Sequence, residues 1–103
     1  MDKTFSFLRK TPGEIQTLIA GRIRMIRRRR KISQKKLSEL SGVSLGSVKR
    51  FEQSGEISFF SLIKIAAALG LSNELERLFE DVPPLSMEEL IRGQDETVKR
   101  FLP

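Results

Sequence analysis

Between Ser33 and Gln53 the sequence reads SQKKLSELSGVSLGSVKRFEQ, two short amphipathic runs on either side of Gly42. Ser33 is placed to cap a helix from Gln34 to about Ser41, with Leu37 and Leu40 as its buried side. Gly42-Val43-Ser44 is a turn in which Gly42 takes positive φ without a Cβ penalty. Ser44 then caps a second helix whose Val48 and Phe51 face inward. Two short helices joined this way pack at a steep angle, and the steric demands are specific. A small residue is needed where the second helix crosses the first (Ser38), a glycine in the turn (Gly42), and a branched apolar anchor (Val48). The second helix carries Leu45, Gly46, Ser47, Lys49 and Arg50 where a self-contained helix would favour Ala and Glu. Its outer face is shaped for something other than its own stability.

Helical spacing continues on both sides of this pair. Thr11, Pro12 and Glu14 form a capping box with proline in the first turn. Ile15, Leu18, Ile19, Ile23 and Ile26 follow as the apolar side of a helix running to about Lys31. SGEIS (54–58) breaks the chain after the pair. Ser58 caps a fourth helix through Phe60, Leu62, Ile65, Ala66 and Leu69, closed by Gly70. Ser72 opens a short fifth helix with Leu75, Leu78 and Phe79, and Pro83-Pro84 ends it. Ser86 and Glu89 form a further capping box for a short helix near 87–92. Phe5-Ser6-Phe7 alternates as a brief strand would. The reading is all-α in one domain: an N-terminal arm (1–10), a helical body (11–79) and an acidic tail (80–103).

The charge pattern narrows the partner. Net charge is +6 and the isoelectric point about 10.2, so an anionic macromolecule is the first candidate. Residues 1–70 hold 15 Lys/Arg against 5 Asp/Glu, while residues 71–103 hold 4 against 8. A positive body and an acidic tail suit two different partners. Cys and His are both absent. This removes disulfides, thiol nucleophiles, the usual zinc ligands and the commonest general base. No phosphate-binding glycine loop is present, so no acid, base and nucleophile assemble into an active site. An enzyme is not expected, and no cofactor, metal or catalytic residue is implied. Glu88, Glu89, Asp95 and Glu96 read as a solvated acidic tail. No apolar run approaches the ~18 residues of a membrane span, and the N-terminus lacks the apolar core of a signal peptide. A cytoplasmic protein is expected.

Residues from about 18 to 79 resemble the Cro/repressor-type (Xre) helix-turn-helix family, through IRRRRKISQKKLSELSGVSLGSVKRFEQSGEISFFSLIKIAAALGLS. The resemblance implies a five-helix, lambda-repressor-like DNA-binding domain. Gln34 and Lys35 would then touch the DNA backbone. The helix begun by Ser44 would be the recognition helix, with Leu45, Gly46 and Ser47 at the bases and Lys49 and Arg50 one turn on, reaching a guanine edge or a phosphate. Arg27 would pair with Glu52 as a partly buried bridge between the first and third helices. The rest of the basic run, Arg28, Arg30 and Lys31, would be backbone-facing or solvated, because successive helical residues point ~100° apart. Lys35 is favoured over Lys36 as a phosphate contact. Apart from the resemblance, the adjacent Phe59 and Phe60 cannot both face inward, so one of them is either a dimer contact or a partly buried surface residue.

Two departures from the family stand out. Glu52 and Gly55 are separated by two residues where relatives have one. Leu45 and Gly46 replace amide side chains, which shifts weight from direct base readout toward DNA shape and phosphate contacts. A narrower resemblance, FxFLRKTPGEI with GVSLGSVKRFEQSGEIS and an acidic tail, is to HipB-type antitoxins. Such proteins dimerise on inverted-repeat operators, repress their own operon and hold a HipA-type kinase toxin in check. A stand-alone phage-type repressor without a toxin, and a general nucleic-acid chaperone acting through the arginine run, are the alternatives.

Overall fold

The structure, a computed structural model, describes residues 9–93. The helices are α1 (Pro12–Arg29), α2 (Gln34–Ser41), α3 (Leu45–Ser54), α4 (Phe59–Ala68) and α5 (Ser72–Glu76), with a further helical stretch over 87–93. No strand occurs among the described residues. The Phe5–Phe7 alternation lies outside them.

Local side-chain chemistry starts most of these helices. Thr11 accepts the Glu14 N–H at 3.1 Å and the Glu14 carboxylate accepts the Thr11 N–H at 3.3 Å, a closed capping box. Ser33, Ser44 and Ser58 each accept the N–H three residues on. Each thereby satisfies a first-turn donor that has no partner within the helix. The tail helix keeps half of its expected box. Ser86 accepts the Glu89 N–H, but the Glu89 carboxylate takes the N–H of Leu85. The start of α5 is different: the cap position is Leu71, without a side-chain bond, and Ser72 is already helical.

The core is small and draws on four helices. Ala20 and Ile23 of α1, Leu37 of α2, Val43 of the turn, Val48 and Phe51 of α3, Ile65 of α4 and Leu69 at its C-cap are buried together. Ile26, Ile32, Ile57, Leu62, Ala68 and Leu71 close its rim. Helix α1 packs on α3, α2 lies against both α3 and α4, and α5 packs on α4.

Several expected core residues lie outside it. Ile15, Leu18 and Ile19 are exposed, because α1 meets α3 through Ala20, Ile23 and Arg27 instead. Ile19 and Ile15 stand one and two turns before Ile23 on the same stripe, and that stripe is covered only from Ala20 onward. Leu40 is 52% exposed. The inner face of α2 is taken by Leu37 and Ser41, one turn apart, and the serines of α2 serve the turn: the Ser38 hydroxyl donates to the Val43 carbonyl at 2.6 Å, and the Val43 N–H donates to the Ser41 hydroxyl. Phe59 and Phe60 are both exposed, with the Lys64 ammonium 5.1 Å from the Phe60 ring centroid. Helix α5 stops at Glu76, and Phe79 has φ +65°, so Leu78 and Phe79 leave the helix and face outward.

Gly55 makes the tightest approach of the glycines. Its φ is +82°, and a Cβ added there would lie 2.7 Å from the Gln16 Cβ and 2.8 Å from its carbonyl carbon. The end of α3 therefore rests directly on the backbone of α1. Gly21, in the middle of α1, meets nothing within 4 Å. Gly55→Ala should lose roughly 1–2 kcal/mol to the left-handed backbone and a further roughly 1–3 kcal/mol to displacement of α1. Gly21→Ala should gain about 0.5–1 kcal/mol through reduced helix entropy cost. Urea denaturation of the two variants checks both signs.

Candidate nucleic-acid interface

One buried carboxylate sets the geometry of the exposed face. The Arg27 guanidinium donates to Glu52 through Nε at 2.6 Å and through Nη2 at 2.9 Å. Its remaining nitrogen, Nη1, donates to the Ile32 carbonyl at 2.6 Å. Gln34 adds an amide bond to Glu52 Oε1 at 3.1 Å. The two charged side chains are 10% and 3% exposed. Among the described residues no buried side-chain nitrogen or oxygen lacks a partner. The fork of arginine matches a carboxylate with two parallel bonds, which lysine lacks the geometry to do. The network joins α1, the α1–α2 connection, the start of α2 and the last turn of α3. Gln34 thus has its amide engaged inside the domain, at the position where a DNA-backbone contact is expected.

With α3 fixed, its outer face is defined. Val48 and Phe51 point into the core. Ser44, Gly46, Ser47, Lys49, Arg50 and Gln53 are exposed, and Leu45 is half-buried. Nothing lies within 4 Å of a Cβ added to Gly46, so the leading end of α3 is open. The Ser44 hydroxyl accepts the Ser47 N–H and bonds the Ser47 hydroxyl at 2.8 Å, which keeps both short side chains close to the helix start. Lys35 is exposed in the first turn of α2.

Lys49 and Arg50 do not act on the same side. Lys49 lines a depression of about 300 Å³ with Arg24, Gln34, Glu52 and Gln53. Arg50 lines another of about 330 Å³ with Ser47, Glu56, Ile57, Ser58 and Ser61. The two depressions flank α3. Sequence reasoning missed Arg24 and Gln53. Arg24 stands one turn before Arg27, and that spacing alone marks it as a neighbour of the bridge. The basic run itself fans out: Arg27 turns inward, while Arg28, Arg29, Arg30 and Lys31 are exposed. Among the described residues no cluster of His, Cys, Asp and Glu suits a metal ion. None of their helices is long and apolar enough to cross a membrane.

Removing Arg27 leaves the Glu52 charge buried with only the Gln34 amide. Arg27→Ala should cost ~3–5 kcal/mol of folding stability, the range for breaking one side of a buried pair. Arg28→Ala, on the exposed side of the same helix, should change stability by less than about 0.5 kcal/mol. Thermal melts of both variants at one salt concentration provide the comparison, and equal shifts would mean that the bridge carries no structural weight.

The helix arrangement agrees with what comparison with known families finds. Residues 23–72 match a family model described as Helix-turn-helix. Neither the curated proteins nor the solved structures compared with the chain yield a match. The matched segment begins at Ile23 in α1 and ends at Ser72, at the start of α5. It contains the whole Arg27–Glu52–Gln34 network and both depressions beside α3. What residues 23–72 build is a helix-turn-helix DNA-binding domain of the Cro/repressor type, the domain of a transcriptional regulator.

Proposed function

We propose that the protein is a sequence-specific repressor that binds an inverted-repeat operator as a homodimer, and that it is the antitoxin and autoregulator of a HipA-type kinase toxin operon. The observation that carries the DNA reading is the outer face of α3. Ser44, Gly46 and Ser47 at its leading end carry short or absent side chains, Leu45 is half-buried, the surface is open at Gly46, and cations stand on either flank. A helix of that shape enters a major groove closely, because its backbone is not held off by bulk. In this reading Ser44, Leu45, Gly46 and Ser47 meet base edges, Arg50 reaches a guanine or its phosphate, and Lys35 and the start of α2 at Gln34 lie on the backbone. The protein works in the cytoplasm, where such an operator lies.

The dimer reading is supported by α4. Phe59, Phe60 and Ile63 are 60%, 69% and 39% exposed, and α4 carries no acidic residue. Together they offer roughly 300 Å² of apolar side chain per copy, taking a phenylalanine as about 200 Å². A stable interface uses about 800 Å² per partner. A second copy seated there is therefore held weakly alone and completed by DNA carrying two half-sites about one helical turn apart.

The antitoxin reading is supported by the tail and by the resemblance to HipB-type proteins. Val82, Leu85, Met87, Leu90 and Ile91 are all exposed among acidic neighbours. Met87, Leu90 and Ile91 share one face of the 87–93 helix by their spacing. An acidic segment of this kind is repelled by phosphate, and its apolar face orders on a protein partner. In this division residues 11–79 bind DNA and residues 80–103 bind the kinase.

Footprinting on a duplex selected by the protein from a random pool should give two protected half-sites related by inversion. Truncation after Asp81 should leave that footprint in place and weaken capture of a co-expressed HipA-type kinase. A single asymmetric half-site would contradict the homodimer, and full kinase capture by the truncated chain would contradict the antitoxin division.

A further inference from the structure

We propose that Arg24 of α1 and Lys49 of α3 together seat one phosphodiester group of the DNA backbone, making Lys49 a strand-positioning contact and not a base reader. The inference rests on the DNA-binding reading above and adds a residue and a role to it.

The depression that holds the two cations is lined by Arg24, Gln34, Lys49, Glu52 and Gln53 and encloses about 300 Å³. Its one acid does not oppose an anion there. Glu52 has Oε2 on Arg27 Nε and Oε1 on both Arg27 Nη2 and Gln34 Nε2, and its side chain is only 3% exposed. Its charge is neutralised by Arg27 beneath the surface. Arg24 and Lys49 are exposed and have no ion-pair partner among the described residues. The floor of the depression is thus neutral, its amides from Gln34 and Gln53 are hydrogen-bonding groups, and two unpaired positive charges stand over it. A singly charged phosphodiester matches that arrangement in sign and in its demand for several donors.

The other flank of α3 lacks this balance. The depression beside Arg50 also contains Glu56, which has no ion pair among the described residues, and Arg50 is its one cation. A phosphate on that side meets an uncompensated carboxylate. Consecutive residues of a helix diverge by ~100°, so Lys49 and Arg50 reach toward opposite edges of a groove that α3 occupies. Arg24 also sits one turn from Arg27 on α1. The buried bridge that locks α1 onto α3 therefore fixes the placement of the Arg24 backbone relative to that of Lys49. The seat is built before DNA arrives, at no further ordering cost to the two helices.

The test uses the full chain, a mixed-sequence duplex and a duplex selected by the protein from a random pool, with affinities measured by fluorescence anisotropy across a salt series. Arg24→Ala and Lys49→Ala should each weaken both duplexes by the same factor, and each should reduce the slope of log affinity against log salt by about one unit. The double variant should reduce it by about two. Arg24→Lys should restore most of the slope, since a point charge suffices for a phosphate. Arg50→Ala serves as the contrast and should change the ratio between the two duplexes. Melting temperatures near that of the parent keep the comparison free of folding effects, because neither seat residue is in the core. A changed selected-to-mixed ratio in Lys49→Ala would assign Lys49 to a base and overturn the proposal. An unchanged salt slope in Arg24→Ala, with the parent binding normally, would overturn the seat alone. Failure of the parent to bind either duplex would overturn the DNA-binding reading itself.

Discussion

The fold depends on a guanidinium that turns inward from a run of basic residues. Arg27 reaches Glu52 with two parallel bonds and the Ile32 carbonyl with a third, so one side chain ties α1, the α1–α2 connection and α3 together. Burying two charges carries a large desolvation cost, which is offset only when geometry is close and every remaining polar atom has a partner. Both conditions are met here, with Gln34 taking part of the capacity left on Glu52. The return is register more than net stability. A core of Ala20, Ile23, Leu37, Val43, Val48, Phe51, Ile65 and Leu69 is small, and apolar contacts alone are non-directional. The bridge selects one rotation and one depth of α3 against α1. Gly55, pressed onto the backbone of Gln16, sets the distance at the far end of the same contact.

From that fixed relation the surface chemistry follows. Arg27 is withdrawn from the basic run, and its neighbours Arg28 and Arg29 on α1 and Arg30 at its C-cap are left exposed. The carboxylate that would otherwise weaken a positive face is neutralised under it. Helix α3 then presents short side chains at its leading end and one cation on each flank. A helix poor in bulk at its tip gives up many of the side-chain contacts through which base identity is read. Placement on the backbone and the deformability of the DNA carry more of the discrimination in such a case. Rigid placement of the flanking cations matters correspondingly more.

Features set by neighbours in sequence were the legible ones. Thr11, Ser33, Ser44 and Ser58 declare their helices because the capping bond spans three residues and needs no tertiary partner. Gly42 declares the turn for the same reason, with φ at +77°. Which apolar residues are covered is a different kind of fact. The isoleucines and leucine at 15, 18 and 19 mark a helix correctly, yet burial along α1 begins only at Ala20. Periodicity locates a stripe and is blind to which sector of it a neighbour occupies. Leu40 lost its expected place because Ser38 and Ser41 are committed to the backbone polar groups of the turn. The inward path of Arg27 was legible only through family resemblance, since five consecutive basic residues look alike in composition. Arg24 escaped notice altogether because its neighbour across the depression, Lys49, is 25 residues away in the chain.

On the proposed reading, the light leading end of α3 lets its backbone come close to DNA, at some cost to the helix itself. Gly46→Ala tests this in one variant. The added methyl meets nothing in the free protein, and alanine is favoured over glycine in a helix by up to about 1 kcal/mol. Measured side by side, thermal stability of the variant should rise while its affinity for a selected duplex falls. A variant that is more stable and binds that duplex as tightly as the parent would contradict the account.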